Sequence, residues 1–114
     1  MDIKAKFDRE SLLTHIGKDE GFFRELLTES LKVLPNHLDT IENAIELHDT
    51  EKLRKAAHRM KGGLSSIYAA HAAHLAHELE IAAESEDLEK SADIRDELVI
   101  VMDETIEEIR KNIT

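Results

Sequence analysis

Apolar residues recur every three or four positions along almost the whole chain, and no convincing two-residue alternation appears. That period places them on one stripe of a helix, and the stripe must be buried against other helices. The pattern therefore predicts an all-α protein. Composition agrees, because four glycines and one proline leave few helix breakers while Ala, Leu, Glu, Lys and Ile are abundant. At 114 residues, 41% of them hydrophobic, the chain suits one domain with a single modest core. The domain is taken as residues 1–114, with its core over about 8–112.

A short first helix is expected from Asp8, a good N-cap, through Leu12, Leu13 and Ile16, with Gly17 as its stop. Asp19 caps a long stretch whose apolar stripe runs Phe23, Leu27, Leu31, Leu34, Leu38, Ile41 and Ile45. Pro35 falls inside it and should kink or divide the helix, since proline removes a backbone donor and crowds the preceding turn. Asp49 or Thr50 starts a third helix with the stripe Leu53, Ala57, Met60, Leu64 and Ile67. A fourth is expected from about Ala69 to Ser85, with Ala72, Leu75, Leu79 and Ala82 inward. Charged residues from Glu84 to Lys90 read as the next connection. A last helix from about Ser91 carries Ile94, Leu98, Val101, Met102, Thr105 and Ile109. Short connections between long amphipathic helices imply antiparallel neighbours. The expected architecture is an antiparallel up-down four-helix bundle with a short additional N-terminal helix. There is no internal repeat, low-complexity tract or Gly/Ser linker.

Several functions are excluded early. The absence of cysteine removes disulfide scaffolds, thiolate zinc sites and cysteine nucleophiles, and it fits a reducing compartment. A formal net charge of −10 argues against nucleic acid, whose own negative charge needs an opposed field. No stretch approaches the roughly 20 apolar residues of a membrane span, and the start MDIKAKFDRE lacks a signal-peptide core. A cytoplasmic monomer with protein partners is expected.

The third helix breaks two local rules. Its segment LRKAAHRMKGGLSSI puts Gly62 and Gly63 in a helix interior, where each costs about 1 kcal/mol relative to alanine. It also gathers Arg54, Lys55, Arg59 and Lys61 on an acidic chain. Such conflicts mark functional sites. At ~100° per residue, a row Arg54, His58, Lys61 and Ser65 lies to one side of the core stripe, with Gly62 one turn beyond His58. His58 should therefore stand at the solvent edge. A neutral imidazole nitrogen is a competent nucleophile, because its unperturbed pKa of ~6.5 leaves much of it unprotonated at physiological pH. A lysine one turn away can neutralise phosphoryl oxygens. A glycine at four residues lets a partner surface come close.

At these positions the sequence resembles the histidine-containing phosphotransfer domains of multistep two-component phosphorelays. The matching positions are Ala57-His58, Lys61-Gly62, Gly63, Ile67, Ala69, Leu75 and Leu79-Glu80. Upstream, FDRESLLTHIGKDEGFFRELLTESLKVLP carries the family's Phe-Asp start, an aspartate at Asp19 and a proline at Pro35. The likeness spans roughly residues 7 to 110. It implies that His58 is the phosphoacceptor, that Lys61 stabilises the phosphoryl group and that Gly62 keeps the site open. Arg54, Lys55, Arg59 and Ser65 are the expected docking residues. The implied partners are response-regulator receiver domains, with a hybrid sensor histidine kinase as a further candidate. No cofactor is expected on this chain, because magnesium belongs to the receiver. The family commonly has glycine where this chain has Tyr68, and leucine where it has Ala72.

Other functions fit less well. His71, His74 and His77 lie three apart on the fourth helix, with Glu78 four after His74, but ~100° steps carry His77 round from His71. These are read as solvated histidines and no metal site is assigned, with a weak adventitious site from His74 and Glu78, joined by His71, as the alternative. A di-metal carboxylate bundle needs Glu-x-x-His motifs, which the chain lacks. A non-catalytic helical interaction module predicts no phosphorylation of His58. A domain phosphorylated directly by an ATP-dependent histidine kinase would draw that kinase from elsewhere, since the chain has no glycine-rich nucleotide loop.

Overall fold

Four of the five helices start on an aspartate, which accepts a hydrogen bond from the backbone three residues on. In the computed structural model, which describes residues 5–113, the helices are α1 (Arg9–His15), α2 (Glu20–Glu46), α3 (Thr50–Ser66), α4 (Ala70–Glu84) and α5 (Leu88–Lys111). Asp8, Asp19, Asp49 and Asp87 cap α1, α2, α3 and α5, each bond being 3.0 Å long. Each cap satisfies one of the amides that a helix start leaves unpaired. The described residues contain no strand. The ends of the expected domain, residues 1–4 and 114, lie outside the described residues.

The expected stripes are buried. Phe23, Leu27, Leu34 and Ile41 of α2, all five stripe residues of α3 and six of α5 lie in one core. Leu31, Leu38 and Ile45 pack partly buried against it. Helix α4 is buried over a wider face than its stripe predicts, through Ala73, Ala76 and Ala83 besides the expected positions. It packs between α3 and α5, and α2 also touches both, so the four long helices close into a ring. Small side chains on α4 let its neighbours approach from both sides.

Two expectations are corrected, the division of the second helix at Pro35 and the start of the last helix. Helix α2 runs unbroken through Pro35. The proline is exposed, while Leu34 beside it and Ile41 two turns on are anchored in the core and hold the halves together. The last helix begins at Leu88, three residues before Ser91, because Asp87 is its cap. The charged run was therefore partly a first helical turn, where Glu89 also suits the helix dipole.

The departure at Tyr68 leaves the turn intact. The backbone there takes φ 61°, the left-handed value a glycine would adopt freely. His48 and Glu86 do the same at φ 56° in the other two turns of the ring. In each turn the next amide reaches back into the finished helix: Asp49 to Ala44 O at 2.9 Å, Ala69 to Leu64 O at 2.9 Å, and Asp87 to Ala82 O at 3.0 Å. These six-to-one bonds close a Schellman motif, after which the next helix starts at once. Tyr68 is also pinned from outside, its carbonyl accepting from Asp8 N–H at 3.1 Å and its ring lying 6.0 Å from that of His15.

The left-handed conformation costs a side-chain-bearing residue about 1–2 kcal/mol. His48 and Glu86 are exposed, so little packing opposes relief of that cost. His48→Gly and Glu86→Gly should each stabilise the protein by about 0.5–1 kcal/mol after the added freedom of the unfolded chain is counted. Urea unfolding midpoints test this, and a lower midpoint in both would refute the turn argument.

Candidate functional site

Helix α3 carries His58 one helical step away from the buried Ala57, so its side chain emerges at the edge of the core with 61% of its surface exposed. The neighbouring helix α4 returns antiparallel to the chain direction after the short turn at Tyr68 and brings Glu80 opposite it. His58 Nδ1 lies 2.9 Å from Glu80 Oε2, and Lys61 Nζ donates to Glu80 Oε1 at 2.7 Å. His77 joins the group with Nδ1 3.5 Å from Lys61 Nζ. The site is therefore four side chains on two helices.

Glu80 is the only charged side chain in the core among the described residues, with 10% of its surface exposed. A buried carboxylate is costly unless its lone pairs are engaged. Here the Lys61 hydrogen bond holds the Glu80 carboxyl below the usual glutamate range, against burial, which pushes it up, and the His58 hydrogen bond adds to the lowering. Glu80 is consequently an anion. An anion can only accept, so His58 Nδ1 is the protonated ring nitrogen. In the neutral ring, Nε2 on the far edge is then the nitrogen with the lone pair.

The remaining expected residues divide between two sides. Lys61 does not stand free, because its ammonium is committed to Glu80. Arg54 pairs with Glu51 at 2.9 Å, and Lys55 reaches the same carboxylate at 3.7 Å. Arg54's hydrogen bond holds Glu51 below the usual range. Arg59 forms no salt bridge among the described residues and lines a groove with Thr40, Asp49, Glu51, Lys52 and Lys55 on the α2 side. Ser65 is exposed and borders a groove of about 270 Å³ with Lys61, Tyr68, Ala73 and His77 on the α4 side. The expected docking residues thus do not form one patch.

The two glycines have different settings. A Cβ added to Gly62 would meet nothing within 4 Å, and one on Gly63 would touch Leu34 Cδ2 at 3.9 Å, an ordinary contact. Packing therefore requires neither to be glycine. On the fourth helix His74 Nε2 lies 2.9 Å from Glu78 Oε1, and among the described residues no three potential ligands converge on a metal position.

Sequence reasoning missed the roles open to Glu80 and His77. Glu80 was quoted only as half of a leucine-glutamate pair. The signal was present: Ala73, His77, Glu80 and Glu84 form a row at helical spacing, and Glu80 stands one turn after the buried Ala76. A charge at the edge of the core, one turn after a buried alanine, asks for a partner on the facing helix.

The arrangement is an exposed imidazole held by a buried carboxylate on the facing helix of an all-helical scaffold. The Hpt domain family model matches residues 25–112, and the chain belongs to that family. Histidine-containing phosphotransfer protein B (HptB) from Pseudomonas aeruginosa PAO1 shares the fold, with a TM-score of 0.87 and 22% identity over 93% of this chain and 92% of that one. None of the curated proteins matches the sequence.

Gly62→Ala should raise stability by about 1 kcal/mol, because it improves helix propensity and meets no atom. A second prediction follows from Glu80. Its folded-state pKa is depressed, so its contribution to stability is present above the unfolded value near 4.5 and disappears as pH falls through the lower folded value. Wild type should therefore exceed Glu80→Gln by about 1 kcal/mol at pH 7, with the gap closing below pH ~4.5. Denaturation curves from pH 7 to 3 check this. A gap that widened with acid would reverse the assignment.

Proposed function

We propose that this chain is a phosphorelay carrier which accepts a phosphoryl group on His58 from an aspartyl-phosphate receiver domain and passes it to another receiver. The observation that carries the reading is the His58–Glu80 bond, which leaves Nε2 as the free nucleophilic nitrogen on an exposed ring. The Nε2 lone pair attacks phosphorus, the bond from phosphorus to the aspartyl oxygen breaks, and the aspartate departs as carboxylate. The Nδ1 proton stays in place. The ring thereby becomes an imidazolium-like phosphohistidine, and Glu80 balances the charge it gains.

Lys61 serves the same step from the other oxygen of Glu80, where its ammonium stands ready for the phosphoryl oxygens. Gly62 is the open approach for the partner. Arg59 is the candidate docking cation, while Arg54, Lys55 and Ser65 border the contact area. The scaffold in this reading is the antiparallel up-down bundle, with α1 packed at its end. Magnesium and the remaining catalytic groups come from the receiver, and the chain works in the cytoplasm without kinase activity of its own. Among the described residues no helix is long and apolar enough to cross a membrane.

A radiolabelled phosphoreceiver panel tests the reading. Label on the wild-type chain should survive base and be lost in acid, as a P–N bond requires. His58→Gln should abolish acceptance while helix content and melting stay nearly unchanged, since the ring is exposed. Full acceptance by that variant would overturn the assignment. Gly62→Gln should slow transfer while Gly62→Ala does not, because the longer side chain crowds the ring and the methyl group meets open space.

A further inference from the structure

His77 is a second imidazole in the network, and its Nδ1 lies nearest a cation where that of His58 lies nearest an anion. Its Nδ1 lies 3.5 Å from Lys61 Nζ, at the long end of hydrogen bonding, and 3.8 Å from Glu80 Oε1. A lysine ammonium has three donors and no lone pair, so the nitrogen facing it has to accept. An Nδ1–H aimed at Glu80 would span 3.8 Å, beyond hydrogen-bond reach, toward an oxygen that already accepts from Lys61 at 2.7 Å. A neutral imidazole accepting at Nδ1 carries its proton on Nε2.

We infer that His77 is a positioning residue for Lys61, fixed as the Nε2–H tautomer, whose Nδ1 and the Glu80 carboxylate together aim the lysine. Two of the three ammonium donors are then engaged, one by Glu80 Oε1 and one by His77 Nδ1. The third stays available for a phosphoryl oxygen. Lysine is a flexible side chain that loses much rotamer freedom when held, and a second anchor removes that cost before the phosphoryl group arrives. The inference rests on the proposed role of His58, and it assigns His77 an action through Lys61 alone.

The tautomers can be read in the unphosphorylated protein by long-range proton–nitrogen NMR, independently of any transfer. The expected spectrum has the proton of His58 on Nδ1 and that of His77 on Nε2. The rate of loading by phosphoramidate, and the lifetime of the loaded form, supply the second arm. His77→Ala should lower both by about threefold to tenfold, in keeping with one lost hydrogen bond. His77→Asn should restore much of the loss, because the amide oxygen can take the place of Nδ1. In a Lys61→Ala background, His77→Ala should change nothing further. A proton on His77 Nδ1, wild-type behaviour of His77→Ala, or an equal loss without Lys61 would each overturn the inference. Loading of His58→Gln at the wild-type rate would instead sink the acceptor assignment, while the tautomers of His77 would stand.

Discussion

The site depends on a carboxylate placed where a carboxylate is expensive. Glu80 lies at a core position of α4, and what makes it tolerable is a lysine and a histidine presented by α3 at matching heights. The matching is set by the turn. His58 and Glu80 are 22 residues apart and Lys61 and His77 are 16 apart, and both pairs are centred on Ala69. Two helices that double back on one point bring residues equidistant from it to the same level. The left-handed backbone at Tyr68 and the six-to-one bond of Ala69 are therefore part of the site's geometry, although neither residue touches His58.

Charge on the surface around His58 is largely neutralised within the chain. Glu51 occupies Arg54 and Lys55, and Glu80 occupies Lys61. A sequence count of four basic residues suggests a strong positive field, yet the three-dimensional arrangement divides it. Exposed pairs of this kind add little to stability, and their effect is to restrict where each cation can point. Arg59 keeps its charge toward the α2 side, where it also helps depress the pKa of His37, a shift due first to desolvation of that ring. Asp49 and Glu51 line the same groove as Arg59, so the positive charge on that side is also partly offset.

Much of the fold was legible because it is decided locally. Aspartate caps and three-to-four apolar spacing lie within a few residues of each other in sequence, and the stripe that buries Ala57 and Met60 fixes the outward direction of His58. What was not legible is decided between helices. Nothing near His58 in sequence reveals that its Nδ1 is occupied, because the partner lies on the next helix. Pro35 misled for a related reason, since its effect depends on core contacts of Leu34 and Ile41 that local rules ignore. The start of α5 was displaced because a run of charge resembles a loop until Asp87 is recognised as its cap.

The glycine pair shows how a rule broken at one level can be explained at another. Neither Gly62 nor Gly63 is demanded by φ, since both lie inside a regular helix, and neither is demanded by packing. Helix propensity alone would favour alanine at both by about 1 kcal/mol each. Stability therefore gives no reason for Gly62, which is what the proposed approach of a partner to His58 would explain. Gly63 differs in one respect, because it faces Leu34 and borders a groove with Val33, His37 and Ser66. Gly62 leaves the helix surface bare beside His58, whereas Lys61, His77 and Glu80 fill the α4 side. One flank of the imidazole is held through Nδ1 by Glu80, and beside the other a methyl group at Gly62 would meet no atom, so the two flanks answer to different constraints.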